Sequence, residues 1–209
     1  MGAGDNGLTD AERGEGWRLL FDGTTLDGWA ATGKPEGWAV DDGTIVCTSN
    51  GGGYLYTEEQ LEDYCLKIDF RIEPGCNSGI FFMWSDLEDP VNAGLEIQLL
   101  ATYGPDRTDT HDCGAVYELI PPKKQTMRPA GEWNEVVLTF KGDAISLDMN
   151  GENIVEMDIS LYTEPHKNLD GSRTKFNKAW AHLPRRGHIG LQDHGGKVWF
   201  RNVKVRSVR

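Results

Sequence analysis

Residues 64–72 read YCLKIDFRI. Tyr64, Leu66, Ile68, Phe70 and Ile72 fall on one side of an extended chain, and Cys65, Lys67, Asp69 and Arg71 on the other. This period of two over nine residues predicts a strand with one face in a core. Residues 78–84, SGIFFMW, follow as an unbroken apolar run. A strand covered on both sides accounts for it. The segments GLEIQLL (94–100), GAVYELI (114–120), HIGLQDH (188–194) and KVWFRNVKVRSV (197–208) add further strands. Asn150-Gly151 and Asp42-Gly43 sit between apolar runs, where a type I′ hairpin turn needs two residues with positive φ. About a dozen strands are expected. The predicted fold is all-β, a two-sheet antiparallel β-sandwich with Greek-key or jelly-roll connections.

The chain has 209 residues, 26 of them glycine, and carries a net charge of -12. A chain of this size can bury roughly 70% of its unfolded surface and folds without staples. Polyanionic character disfavours phosphate backbones, so no nucleic-acid partner is expected. No apolar run of 18 residues occurs, and no membrane insertion is expected. The opening residues lack the basic and apolar regions of a signal peptide. Residues 1–14 are expected to be disordered, and 15–209 to form one β-sandwich domain. Cys47, Cys65, Cys76 and Cys113 have no CxxC spacing and read as free, buried thiols. Two long irregular segments, 101–113 and 161–187, have the character of binding loops.

Strand geometry sorts the polar residues. In 94–100, Leu95, Ile97 and Leu99 point one way, so Glu96 and Gln98 project together on the opposite face. In 188–196, Ile189 and Leu191 point one way and Gln192 and His194 the other. Asp193 falls on the apolar side, where it needs donors. It reads as a structural brace for the Gly195-Gly196 turn. His194 is the better chemical candidate, since histidine changes charge near neutral pH. Asn77 lies in a turn where it can shape the backbone or hold a hydroxyl. Trp84, Trp133, Tyr103, Tyr117 and Trp180 can stack on a sugar, with Trp84 and Trp180 expected to be the exposed ones. There is no GxSxG elbow, no HExxH, no P-loop and no GxGxxG after a strand. The ExDxxE strand of laminarinase-like glycosidases is missing, and only Glu118 or Asp86 offers Glu96 a second carboxylate in space.

Nine stretches in order carry a resemblance over nearly the whole chain: FDGTTLDGW (21–29), GWAVDDGTIV (37–46), GGGYLYT (51–57), DYCLKIDFRIEPGCNSGIFF (63–82), GLEIQLL (94–100), GAVYELIPP (114–122), RPAGEWNEVVL (128–138), NG (150–151) and HIGLQDHGGKVWFRNVKV (188–205). The chain resembles the bacterial 3-keto-disaccharide hydrolase domain family, a concanavalin A/laminarinase-like sandwich. It departs from the family pattern at Ala101, where a polar residue is expected.

The resemblance implies a carbohydrate substrate, cleavage of 3-keto-glycosides, and a periplasmic or secreted location. The roles then expected from side-chain chemistry are Glu96 and His194 as catalytic groups, with Gln98, Gln192, Asn77, Trp84 and Tyr117 binding substrate. No cofactor is expected. A divalent metal held by His194, Glu96 and Asp193 is the variant that replaces the amide donors. Two other functions compete: a non-catalytic lectin-like module, and a conventional two-carboxylate glycoside hydrolase.

Overall fold

A computed structural model describes residues 5–208. Among these, the strands are β1 (Arg18–Leu19), β2 (Trp29–Ala31), β3 (Trp38–Asp41), β4 (Thr44–Cys47), β5 (Tyr54–Thr57), β6 (Tyr64–Ile72), β7 (Asn77–Trp84), β8 (Leu95–Leu100), β9 (Asn134–Lys141), β10 (Ala144–Met149), β11 (Glu152–Asp158), β12 (His188–Gln192) and β13 (Val198–Ser207). They form two antiparallel sheets. The larger runs β11-β10-β9-β6-β13-β4-β3, with β1 paired to β13; the smaller runs β2-β5-β12-β7-β8.

The alternation in β6 has the expected physical result. Tyr64, Leu66, Ile68, Phe70 and Ile72 are all at most 1% exposed. They face the inter-sheet core, where Phe82 of β7 meets Phe140 of β9 edge-on at 6.2 Å. The opposite face of β6 is roofed rather than open. Lys67 lies 4.9 Å over the Trp17 ring, and Arg71 is held between Trp133 at 4.9 Å and Trp199 at 4.4 Å. Such cation–π contacts let a charged row sit beneath aromatic cover. Trp133 is thereby used on the larger sheet. All four cysteines are unpaired and buried. The turn at Asn150 (φ 53) and Gly151 (φ 81) takes the two positive φ values that its sequence requires.

Two expectations differ from the structure. Residues 5–14 are folded, while residues 1–4 lie outside the described residues. The Asn6 and Asn202 side chains each accept a hydrogen bond from the other's backbone N–H, at 2.9 and 2.6 Å. A short helix α1 (Asp10–Gly14) is closed by a capping box between Thr9 and Glu12. Glu12 then pairs with Lys204 at 2.5 Å. Residues 114–120 are not a strand. They follow β8 through hydrogen bonds such as Tyr117 N–H to the Glu96 carbonyl at 2.9 Å. The chain then turns back at Glu118, whose φ is 59°. None of the described helices is long and apolar enough to cross a membrane.

Candidate active site

The outer face of the smaller sheet carries the polar residues. Trp84, 0% exposed, is packed within this face. Tyr54, Tyr56 and His188 meet this indole edge-on at 5.1, 5.8 and 6.5 Å. Its Nε1–H donates to the Asp86 carbonyl at 2.7 Å. The expected stacking role of Trp84 is therefore corrected: its ring is packing, with no face open to a sugar. Trp180, expected to be exposed, is buried against Phe176 at 5.0 Å. Tyr103 is exposed but does not line the cleft described next.

On the same face a cleft of about 240 Å³ opens, with Phe81, Gly94 and Leu95 among its lining residues. Glu96 from β8, Gln192 from β12 and His194 from the turn beyond it all line it, joined by Tyr54, Tyr117 and Lys175. Glu96 and β12 are two strand spacings apart, with Phe81 of β7 paired to both Glu96 and Gly190. That separation is about 10 Å between backbones, a gap that long side chains and a pyranose ring can fill.

Glu96 is half-buried, and burial pushes its carboxyl up from 4.5 to about 7, with the Lys175 charge acting in the opposite direction. Gly79 makes room for it. A Cβ at this position would lie 2.3 Å from Glu96 Oε1 and 2.8 Å from its Cγ. Gly79→Ala is therefore expected to displace the carboxyl while the strand survives. Activity should fall at least about tenfold, because small misplacements of a reacting group are costly. Thermal denaturation of the same variant should stay close to the parent.

Gln192 is nearly buried. Its Nε2 lies 3.4 Å from the Tyr54 hydroxyl, and its Oε1 is buried without a partner. Burial raises the Tyr54 pKa, so the phenol keeps its proton. The exposed His194 ring has no hydrogen-bond partner among the described residues. Gln98 is turned away from this group. Its Nε2 donates to Asn77 Oδ1 at 2.8 Å, and neither residue lines the cleft. Their expected contact with substrate is thus replaced by contact with each other.

Asp193 sits beside the cleft. Its Oδ1 accepts from Gly195 N–H at 2.9 Å, and its Oδ2 from Gly52 N–H at 2.8 Å. Gly195 has φ 85°, and a Cβ on Gly196 would approach Cys76 Sγ to 2.7 Å, so both turn positions require glycine. With Asp193 turned to the backbone, the metal trio of Glu96, His194 and Asp193 does not assemble. No three His, Cys, Asp or Glu side chains among the described residues converge to hold an ion.

Several contributors carry no local sequence signal. Lys175 and Phe176 reach the cleft from the long irregular segment 161–187. Tyr54 comes from β5, two strands from β7. His188, on the same face, is fixed by Nδ1 against the Thr57 carbonyl at 2.6 Å and Nε2 against Gln60 at 3.1 Å. It packs edge-on against Trp84.

A curated relative, the 3-keto-disaccharide hydrolase of Bacteroides thetaiotaomicron, is 29% identical over 92% of this chain and 78% of its own length. Two candidate glycosyl hydrolases of Parabacteroides distasonis are similar in structure. One has a TM-score of 0.81 at 31% identity, covering 92% of this chain and 99% of the other. The second has a TM-score of 0.79 at 26% identity, covering 99% and 100%. The model of the 3-keto-alpha-glucoside-1,2-lyase-like domain matches residues 16–206, and with that match over most of its length the chain belongs to this family.

Proposed function

We propose that this protein cleaves the glycosidic bond of 3-keto-glycosides by proton transfer in the cleft lined by Glu96, Gln192 and His194. The observation that carries the reading is the juxtaposition of a desolvated carboxyl, Glu96, with the imidazole of His194 in one cleft. Binding alone needs neither group.

The chemistry follows from the ketone. A carbonyl at C3 acidifies the proton on C2. His194 takes that proton, and the electron pair forms an enolate whose negative charge rests on the C3 oxygen. Tyr54 O–H and the Gln192 amide stabilise this oxygen by hydrogen bonding. The enolate expels the C1 substituent, and Glu96 donates a proton to the departing oxygen. Water then adds across the new double bond, its oxygen to C1 and a proton to C2. The net reaction is hydrolysis. An unoxidised glycoside has no such acidic proton and requires an oxocarbenium route with two suitably spaced carboxyl groups. Glu96 is the acidic residue lining this cleft among the described residues. The Glu118 carboxylate instead accepts from Lys175 N–H at 2.9 Å in a neighbouring cavity.

The test is a side-by-side incubation with a 3-keto-disaccharide and its unoxidised parent. Cleavage of the oxidised sugar alone is expected. Cleavage of the parent would point to the conventional glycosidase. Cleavage of neither, with retained sugar binding, would point to a lectin-like module.

A further inference from the structure

Lys175 lines the cleft together with Glu96, and the proton transfers described so far give it no task. The chain holds this lysine firmly. Thr174 and Phe176, on either side of it, are buried, which turns Lys175 outward. Its backbone N–H donates to Glu118 Oε2 at 2.9 Å. His166 fixes both neighbours, donating to the Phe176 carbonyl at 2.7 Å and accepting from Thr174 N–H at 3.1 Å. The ammonium group lies 4.2 Å over the Tyr117 ring and 5.7 Å from the centre of the Phe176 ring. Tyr117 in turn donates its backbone N–H to the Glu96 carbonyl at 2.9 Å. Lys124, Lys167, Lys178 and Lys204 each pair with a carboxylate. Lys175 has no ion pair among the described residues; two aromatic rings carry its charge instead.

We propose that Lys175 is a positioning residue for the acid step: its charge sets how readily Glu96 releases a proton to the departing oxygen and steadies the carboxylate that results. The role rests on the function proposed above. That function uses Glu96 in two forms, protonated before C1 departs and ionised after it. A group used in both forms works best when neither is strongly favoured. Burial alone favours the protonated form, and a fixed cation offsets it.

The surroundings of Glu96 leave this task to one residue. Gly79 and Phe81 face it from β7 and carry no charge. Tyr54 from β5 and Tyr117 from the segment after β8 line the same cleft, and burial raises both phenols, so they stay neutral. His194 lies beyond β12 and gains charge only when it takes the C2 proton. Glu118 is engaged by the Lys175 backbone. Lys175 supplies the permanent positive charge, and it is the charge that opposes burial at Glu96.

The test is the titration of Glu96 itself, followed by NMR in protein carrying ¹³C at the glutamate side-chain carboxyls, with the signal absent from Glu96→Gln giving the assignment. Lys175→Met keeps the length of the stem and removes the charge. It is expected to raise the Glu96 midpoint by at least about half a pH unit, a modest shift because Lys175 is exposed. Lys175→Arg keeps the charge and should leave the midpoint within about 0.2 units. In the parent, raising salt should move the midpoint the same way as Lys175→Met, because an exposed charge is screened. The falling limb of kcat/KM on a 3-keto-disaccharide should follow the midpoint in each variant. An unmoved midpoint in Lys175→Met, or a loss of rate equal at every pH, would overturn the role. A parent protein that cleaves no 3-keto-sugar would overturn the proposed function, while the titration would still decide whether Lys175 governs Glu96.

Discussion

Glu96→Gln is expected to lower kcat/KM on a 3-keto-disaccharide at least about a hundredfold while the protein stays folded. The amide has nearly the shape of the carboxylic acid and fits the same space above Gly79. It has no proton to give to a departing alkoxide. The pH dependence makes the expectation specific. Burial holds the Glu96 carboxyl near 7. A general acid must be protonated, so parental activity should decline as pH rises through about 7, and the variant should lack that limb. Stability should follow the same group with a determinate sign. The unfolded chain ionises this carboxyl above about 4.5, whereas the folded chain keeps the proton to about 7. The folded state therefore binds more protons across that window, and stability is lost as pH rises through it. Glu96→Gln removes this loss. Chemical denaturation at pH 5 and pH 8 should find the difference in stability between the two pH values smaller in the variant. A variant with normal rates, or with an unchanged pH limb, would remove Glu96 from the mechanism.

His194→Ala should cost at least about a hundredfold as well, for a different reason. His194 is exposed beyond the end of β12, and its ring makes no hydrogen bond within the described residues. Its removal should leave denaturation almost unchanged, so a large loss of rate cannot be attributed to unfolding. The open position allows a further check. Imidazole added to the variant can reach the cleft and take over the proton transfer, so activity should rise with imidazole concentration. His188→Ala is no substitute for this experiment. That ring is buried and bonded to both Thr57 and Gln60, and its loss would disturb the packing around Trp84. A His194→Ala variant with near-normal kcat/KM would end its assignment as the base.

How much of this was legible in the sequence depended on how local the determining force is. Tyr64–Ile72 announces its strand because period-two burial is written into nine consecutive residues. Asn150-Gly151 announces its turn because few residue pairs tolerate two positive φ values. Glu96, Gln192 and His194 could be placed on chosen faces by the same parity. Their convergence depends on β12, β7 and β8 being neighbours, which no local pattern specifies.

Trp84 misleads for a physical reason. The residues after it, Ser85 and Asp86, are polar, which suggests exposure. In the fold, Gly94 and Gly190 bring backbone close enough to enclose the side chain, with a candidate Cβ 3.1 Å from Trp84 Cγ at the first and 2.9 Å from its Cε3 at the second. Gln98 misleads in another way. Parity puts it beside Glu96, but Asn77 across the strand pair captures its amide. Lys175 and Phe176 come from a segment without periodicity, and only tertiary contact brings them to the cleft. Residues 5–14 did carry a signal, because Thr9 and Glu12 have capping-box spacing.

The central claim is that an imidazole and a buried carboxyl, carried on separate strands, cleave a sugar by removing its C2 proton. The most direct measurement uses a 3-keto-disaccharide labelled with deuterium at C2 and follows the mass of the released keto-sugar in ordinary water. Labelled product alone, incubated in parallel, corrects for spontaneous exchange. The label should be lost to solvent at the pace of cleavage, because the proton returned to C2 comes from an exposed histidine that exchanges with water. Product that keeps its deuterium after full cleavage would contradict the account, since the bond to C1 would then have broken with C2 untouched.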